Sequence, residues 1–322
     1  MALGNHSTIT EFILLGLPAD PNIQALLFVL FLEIYLLTLM GNLMMLLVIR
    51  TDSHLQTPMY FFLSHLSFVD LCFSSVTVPK LLENLLSKTK IISKEGCLIQ
   101  AFFVLDIGGT ETLLLSAMAY DHYAAICHPL LYGQMMSSQV CMRLVWASRS
   151  LSFLDAVINI PLATNLNFCE TRTISHYSCE LPSLFPLSCS DLPSLFPLSC
   201  SDISINIDIL ICSTLLHGLG TFLPIFFSYT RIISTILSIS STSGRSKAFS
   251  TCSSHLIAVI LFFGSGLIRY LMPTSGSSLD LLSSLQYSAV TPLVNPLIYS
   301  LKNKEVKAAV RRTVGKYLHY FR

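Results

Sequence analysis

The chain has 322 residues, 52% of them hydrophobic and only 11% charged, with a formal net charge of +1. So apolar a composition excludes an ordinary soluble globular domain. Its short basic C-terminal tail gives no basis for nucleic-acid binding. Seven long apolar stretches begin near Ile23, Pro58, Leu98, Leu144, Ile209, Ala248 and Leu281. Each is long enough for the about 20 helical residues that cross a hydrocarbon core. Runs such as 26–32 and 43–49 do not alternate in polarity, which argues against barrel strands. The predicted fold is therefore all-α: an integral membrane protein, a seven-transmembrane helix bundle.

Residues 1–22 form the predicted N-terminal segment, which lacks Lys and Arg and carries the glycosylation sequon Asn5-His6-Ser7. Residues 23–301 form the seven-span domain, and residues 302–322 a basic tail. No basic n-region and short apolar core precede Ile23, so the first span is expected to act as the signal anchor. Arg50, Arg231, Arg245, Lys247 and the tail residues Lys302, Lys304, Lys307, Arg311, Arg312, Lys316 and Arg322 share one side. The positive-inside rule then places the N-terminus outside and the C-terminus in the cytosol of a multi-pass plasma-membrane protein. Val306, Ala309, Val310, Val314, Tyr317 and Leu318 give the tail one apolar side, as in a short amphipathic helix lying on an anionic leaflet.

The longest predicted loop, about 164–202, falls outside and contains an exact tandem duplication, 181–191 followed by 192–202. Two prolines per copy argue against helix there. Such a duplication is readily tolerated in a surface loop. Cys97 at the outer mouth of the third span and Cys169, Cys179, Cys189 and Cys200 in the loop face an oxidising compartment. That number is odd, and Cys189 and Cys200 are equivalent positions that compete for one partner.

Charges at membrane depth are costly and face the bundle interior. Asp70 and Glu111 lie near the middle of the second and third spans, with Asn42 and Asn295 at similar depth. If they converge, the two carboxylates share a proton or hold a cation such as Na⁺. The alternative is a static hydrogen-bonded network that fixes packing. Pro292 and Pro296 weaken the seventh helix, and Pro224 the fifth. Val104, Leu105, Gly108 and Gly109 on the third span face one way, as do Phe263, Gly266, Leu267 and Tyr270 on the sixth. With Thr214, His217, Leu285 and Ser288 they outline a small-molecule cavity, or else plain helix packing through small residues. No histidine pair has metal-ligand spacing with a third ligand, and no phosphate loop or nucleophile elbow occurs, so neither a metal site nor enzyme activity is expected.

Five strings carry a family resemblance: Pro58-Met-Tyr-Phe-Phe-Leu-Ser-His-Leu-Ser-Phe-Val-Asp70, Met118-Ala-Tyr-Asp-His-Tyr-Ala-Ala-Ile-Cys127, Ser228-Tyr229, Lys247-Ala-Phe-Ser-Thr-Cys-Ser-Ser-His-Leu256, and Pro292 to Tyr299. In their order and spacing the chain resembles a vertebrate odorant receptor of the rhodopsin-like G-protein-coupled class, over nearly its full length. The resemblance implies that a small hydrophobic odorant binds in the outer half of the bundle. It implies that the sixth span then swings outward and a stimulatory olfactory-type G protein raises cAMP. It implies a Cys97–Cys179 disulfide and a second bond from Cys169 to Cys189 or Cys200. Asp70, Glu111 and Asn295 match the family's buried ionic site, and Asp121, Tyr123, Tyr229, Lys247, Asn295, Pro296 and Tyr299 its activation machinery. Three departures stand out: His122 replaces the arginine of Asp-Arg-Tyr, Arg149 replaces a tryptophan, and the duplication adds a thiol. Phe263 for the usual tyrosine is milder. These departures define the main alternative, a receptor-like protein that signals weakly or not at all. A transporter or channel is more remote, since no repeated halves are present.

Overall fold

The computed structural model describes residues 10–16, 18, 20–164, 172–174, 176–184, 203–271 and 285–320. Helix α1 (Pro21–Thr51) starts where the Asp20 carboxylate accepts from the Asn22 N–H at 2.8 Å and Pro21 presets the first turn. Then follow α2 (Pro58–Leu86), α3 (Lys94–Cys127), the short α4 (Tyr132–Met135), α5 (Ser138–Thr164), α6 (Leu181–Leu184), α7 (Ile203–His217), α8 (Leu219–Ser238) and α9 (Thr242–Leu271). A π-helical turn at Gln286–Val290 leads into α10 (Thr291–Lys302), and α11 (Lys304–Tyr320) ends the described chain. Segments Pro21–Thr51, Pro58–Leu86, Lys94–Cys127, Asp208–Ser238 and Thr242–Gly266 are long and apolar enough to cross a membrane. The 27-residue α5 has the length but carries Arg149 and Asp155 in its middle. The expected start of the seventh span near Leu281 lies outside the described residues.

At one end of the bundle the N-terminal segment contains a strand that the sequence reading left out. Strand β1 (Glu11–Leu14) lies between β2 (Ile91–Ser93), antiparallel, and β3 (Thr173–Ile174), parallel. This sheet end also holds the Cys97–Cys179 disulfide, with a Cα–Cα distance of 5.3 Å. The expectation that prolines exclude helix from the duplication is corrected at its first residues. Leu181–Leu184 form one helical turn with Pro182 in the first turn, where no N–H is needed. The remainder of the duplication, 185–202, lies outside the described residues.

The fifth span breaks at Gly218, whereas the sequence pointed to Pro224, which α8 accommodates. The Gly218 N–H donates to the Thr214 carbonyl at 2.7 Å, and a Cβ at Gly218 would lie 2.6 Å from that oxygen. Glycine alone fits so close an approach. In the seventh span the two prolines act as a pair. Pro296 has no N–H for the Pro292 carbonyl one turn earlier, which is thereby freed. Asn42 donates its Nδ2 to that carbonyl at 2.9 Å, and to the Thr38 carbonyl at 3.0 Å. Beside it, a Cβ on Gly41 would sit 3.2 Å from Pro296 Cγ, so α1 and α10 pack almost backbone to backbone.

At the opposite, tail end, α11 folds back along the bundle. Asn303 Oδ1 caps it, accepting from the N–H groups of Glu305 at 2.9 Å and Val306 at 3.3 Å. Val306 and Ala309 are fully buried. Tyr60 donates to Glu305 at 2.8 Å, and the Arg312 guanidinium places Nε at 2.9 Å and Nη2 at 2.5 Å from Asp52 Oδ2. The hydrogen bond from Arg312, aided by the His54 N–H, holds the Asp52 carboxyl below its ordinary pKa. A depressed folded value means the contact's contribution is complete above the usual carboxylate range and is lost as pH falls below that range through the lowered value.

Two outcomes test these ties. Asn42→Leu leaves the Pro292 carbonyl buried and unpaired and is expected to cost about 1–3 kcal/mol, read as a lower unfolding midpoint in detergent. Asp52→Asn is expected to speed tryptic cleavage at Arg311 and Arg312 severalfold at neutral pH without lowering that midpoint comparably.

Candidate functional site

At mid-bundle, Asp70 of α2 is fully buried and accepts from Asn295 Nδ2 with both carboxylate oxygens, each at 3.2 Å. Glu111 of α3 is equally buried and interacts electrostatically with Asp70. Asn295 faces Glu111 as well as Asp70, but neither Glu111 oxygen meets hydrogen-bond geometry among the described residues. Asn42 donates instead to the backbone of α1 and of the seventh span, and its Oδ1 is buried without a hydrogen-bond partner among the described residues. Tyr299 is buried nearby, its hydroxyl unpartnered among the described residues.

Toward the tail end lies a second polar layer. Asp121 accepts from the Tyr132 hydroxyl at 2.8 Å. That contact with the carboxylate, together with burial, raises the Tyr132 pKa above its ordinary value, burial being the larger cause. His122 does not pair with its neighbour Asp121. It is buried, and its ring stands edge-on to His255 of α9, centroids 5.3 Å apart. His255 Nε2 lies 3.0 Å from the Leu115 carbonyl and Nδ1 2.8 Å from the Tyr229 hydroxyl. A carbonyl only accepts, so Nε2 carries the proton. One imidazole thus joins α3, α8 and α9. Tyr123 turns away to His128 Nε2, at 2.9 Å.

Toward the sheet end, the glycines expected to leave space are packed against side chains. The Tyr287 hydroxyl fills the position where Gly108 lacks a Cβ, and a Cβ on Gly109 would meet His217 Cε1 and Ser152 Oγ, each at 2.8 Å. Around His217 gathers a polar cluster. Asp155 of α5 accepts from Ser213 at 2.5 Å and from Asn159 at 3.0 Å. His217 Nε2 is 3.2 Å from Asp155 Oδ2, close in distance but not aligned as a hydrogen bond. Val104 packs toward the main core, whereas Leu105 packs with Ala101, Ile160 and Leu210, so the two do not share one lining. Phe263 lies 5.8 Å from Phe222 between ring centroids. Thr214 is half-buried, and a Cβ on Gly266 would meet nothing within 4 Å among the described residues. Ser288 meets the Tyr177 hydroxyl at 2.6 Å, and Leu285 packs beside the same tyrosine. The side chains of Lys247, Leu267 and Tyr270, and all of Asn5, Cys169, Cys189 and Cys200, lie outside the described residues.

Arg149, one of the departures from the family resemblance, lies midway along α5. Its guanidinium lies over the Phe68 ring, 5.1 Å from the centroid, and is electrostatically coupled to Asp106 and His65. Phe68 is ten residues, about 15 Å, into α2, which is not interfacial depth. The cation–π contact and Asp106 offset part of the ~2.5–3.5 kcal/mol that a central arginine costs on insertion scales.

The sequence reading missed Asp155 and Asp106, though the rule that singled out Asp70 and Glu111 applies equally to them. It also missed Tyr132, Tyr177 and Tyr287, for which sequence offers no comparable signal. Among the described residues, no group of three or more His, Cys, Asp or Glu side chains could hold a metal ion.

Residues 31–316 match the family described as Olfactory receptor. Olfactory receptor 8S1 of Homo sapiens is 70% identical over 307 residues, covering 95% of this chain and 82% of that protein. Olfactory receptor 8A1 of Homo sapiens is 48% identical over 316 residues, covering 98% of this chain and 93% of that protein. Among solved structures, squid rhodopsin superposes with a TM-score of 0.70 at 18% identity, over 93% of this chain and 87% of that one. That likeness shows the shared helical fold.

Removing the shared acceptor tests the α5–α7 cluster. Asp155→Ala strands the Ser213 hydroxyl, removes the carboxylate facing His217 and leaves Asn159 only the backbone carbonyl of residue 155, and is expected to destabilise by about 1–3 kcal/mol. Asp155→Asn keeps most of the contacts and costs less, both read as detergent unfolding midpoints.

Proposed function

The chain belongs to the olfactory receptor family, and on that premise we propose that it binds small hydrophobic odorants toward the sheet end of the bundle and activates a stimulatory olfactory-type G protein, raising cAMP. The family match across most of the chain carries this reading. A membrane-embedded receptor of this family is not an enzyme, and membership sets aside the transporter or channel alternative. The sheet end is the exterior and the tail end the cytosol. The disulfide at the former, suited to an oxidising compartment, and the arginines at the latter support that orientation.

The ligand site draws on Val104, Gly108, Gly109, Thr214, His217, Phe263, Gly266, Leu267, Tyr270, Leu285 and Ser288, with Leu105 at its α5 side. Coupling rests on Asp121, His122, Tyr123, Tyr229, Lys247, Asn295, Pro296 and Tyr299. Glu111 beside Asp70 is offered as the place where a shared proton or a Na⁺ neutralises two buried carboxyls, because an unpaired buried charge is too costly to persist. Asn5 is the proposed glycan acceptor, and Cys169 the proposed partner of Cys189 or Cys200. The domain limits 1–22, 23–301 and 302–322 belong to the same proposal.

The burial of His122 against His255, with Asp121 committed to Tyr132, favours weakened coupling as the second reading. Odorant-panel cAMP in cells supplying the olfactory G protein, normalised to surface receptor, tests the first reading: a dose-dependent response is expected. His122→Arg is expected to raise the maximal response at matched surface level. Silence of both forms at good surface expression across a broad panel counts against signalling.

A further inference from the structure

Tyr177 belongs to the long exterior loop, yet only 1% of its surface is exposed. Its ring enters the bundle among Phe31, Val78, Leu81 and Leu85 of the first two spans and Ala289 of the seventh. There its hydroxyl meets that of Ser288 at 2.6 Å. The loop is anchored on both sides of this insertion. Two residues on, Cys179 is bonded to Cys97, and its N–H donates to Gln100 Oε1 at 2.8 Å. Three residues earlier, Ile174 pairs with Leu14, and its carbonyl accepts from the Leu15 N–H at 2.8 Å.

The N-terminal strand does more than pair. A Cβ on Gly16 would lie 2.6 Å from the Tyr177 backbone nitrogen and 2.7 Å from the His176 carbonyl carbon. Backbone atoms cannot rotate aside, so glycine is what lets the segment press directly on the base of Tyr177. Phe12 and Leu14, both fully buried, hold the strand in an apolar cluster with Ile92, Ile174 and the disulfide. The far end of the clamp is therefore fixed to the framework of the third span.

We propose that Tyr177 is a built-in occupant of the odorant entrance, latched by Ser288 and clamped by residues 11–16, and that ligand entry displaces it. This rests on the ligand-site reading of the outer half of the bundle. The latch is one neutral hydrogen bond and a buried ring, a contact that thermal opening and a competing ligand can reverse. The N-terminal strand is then a positioning element that sets how readily the entrance opens.

The test reads the latch without any G protein. Ala289→Cys introduces a buried thiol beside Tyr177, and its reaction with a small charged methanethiosulfonate is timed on intact cells. The parent receptor supplies the background from exposed Cys212. Adding Tyr177→Phe, which keeps the ring and removes only the hydroxyl, is expected to speed labelling at least about fivefold, the size of losing one neutral hydrogen bond. Gly16→Val is expected to do the same, with Phe12→Ala replacing it if surface delivery fails. Unchanged labelling with Tyr177→Phe overturns the latch. Faster labelling with Tyr177→Phe but with neither strand variant overturns the clamp. Absence of odorant-driven cAMP in the parent receptor at good surface expression, with faster labelling in both sets, would count against the receptor reading and leave the latch standing.

Discussion

A polar group at hydrocarbon depth has no water to pair with, and the packing of this bundle follows from where such groups find partners. Pro296 cannot donate to the carbonyl of Pro292, and that vacancy is filled by Asn42 from the first span. The side chain of Asn295, one residue before that proline, is given to Asp70 of the second span. Gly41 lets the first and seventh helices come close enough for the first of these bonds. In lipid, apolar side chains gain little by choosing one helix over another, so these few polar bonds set which faces meet.

The layer nearer the tail end shows the same economy. His122 is buried beside Asp121 without pairing with it. It packs instead on His255, whose two nitrogens reach the Leu115 carbonyl and the Tyr229 hydroxyl. Asp121, without a charged neighbour, takes the Tyr132 hydroxyl. Within this layer His255 joins α3, α8 and α9 through neutral hydrogen bonds, with no arginine–carboxylate pair among its described residues. Neutral bonds are weaker and less selective than charge-assisted ones.

At the sheet end the constraint is covalent and steric. One disulfide and a three-stranded sheet tie the N-terminal segment, the α2–α3 connection and the long loop into a cap over the bundle mouth. On α5, Arg149 and Asp155 lie six residues apart in the middle of the helix. Each is accommodated by neighbours, Arg149 by Phe68 and Asp106, Asp155 by Ser213, Asn159 and His217.

Much of this was already fixed by residue order. Long apolar runs can satisfy their backbone in lipid only as helices, so the bundle, its spans and its buried acids Asp70 and Glu111 were legible from periodicity and charge alone. The amphipathic tail was legible for the same reason. Local pattern is silent on which helices touch, and there the tertiary structure decided. It moved the break in the fifth span from Pro224 to Gly218, because a backbone approach rather than a missing donor set the bend. It gave Asn42 to the Pro292 carbonyl and brought Tyr177 from a distant loop onto Ser288. It filled the gaps beside Gly108 and Gly109 with Tyr287, His217 and Ser152. A residue's own helix determines its depth and face, but its partners come from helices far away in sequence, and only the assembled bundle brings them within hydrogen-bonding distance.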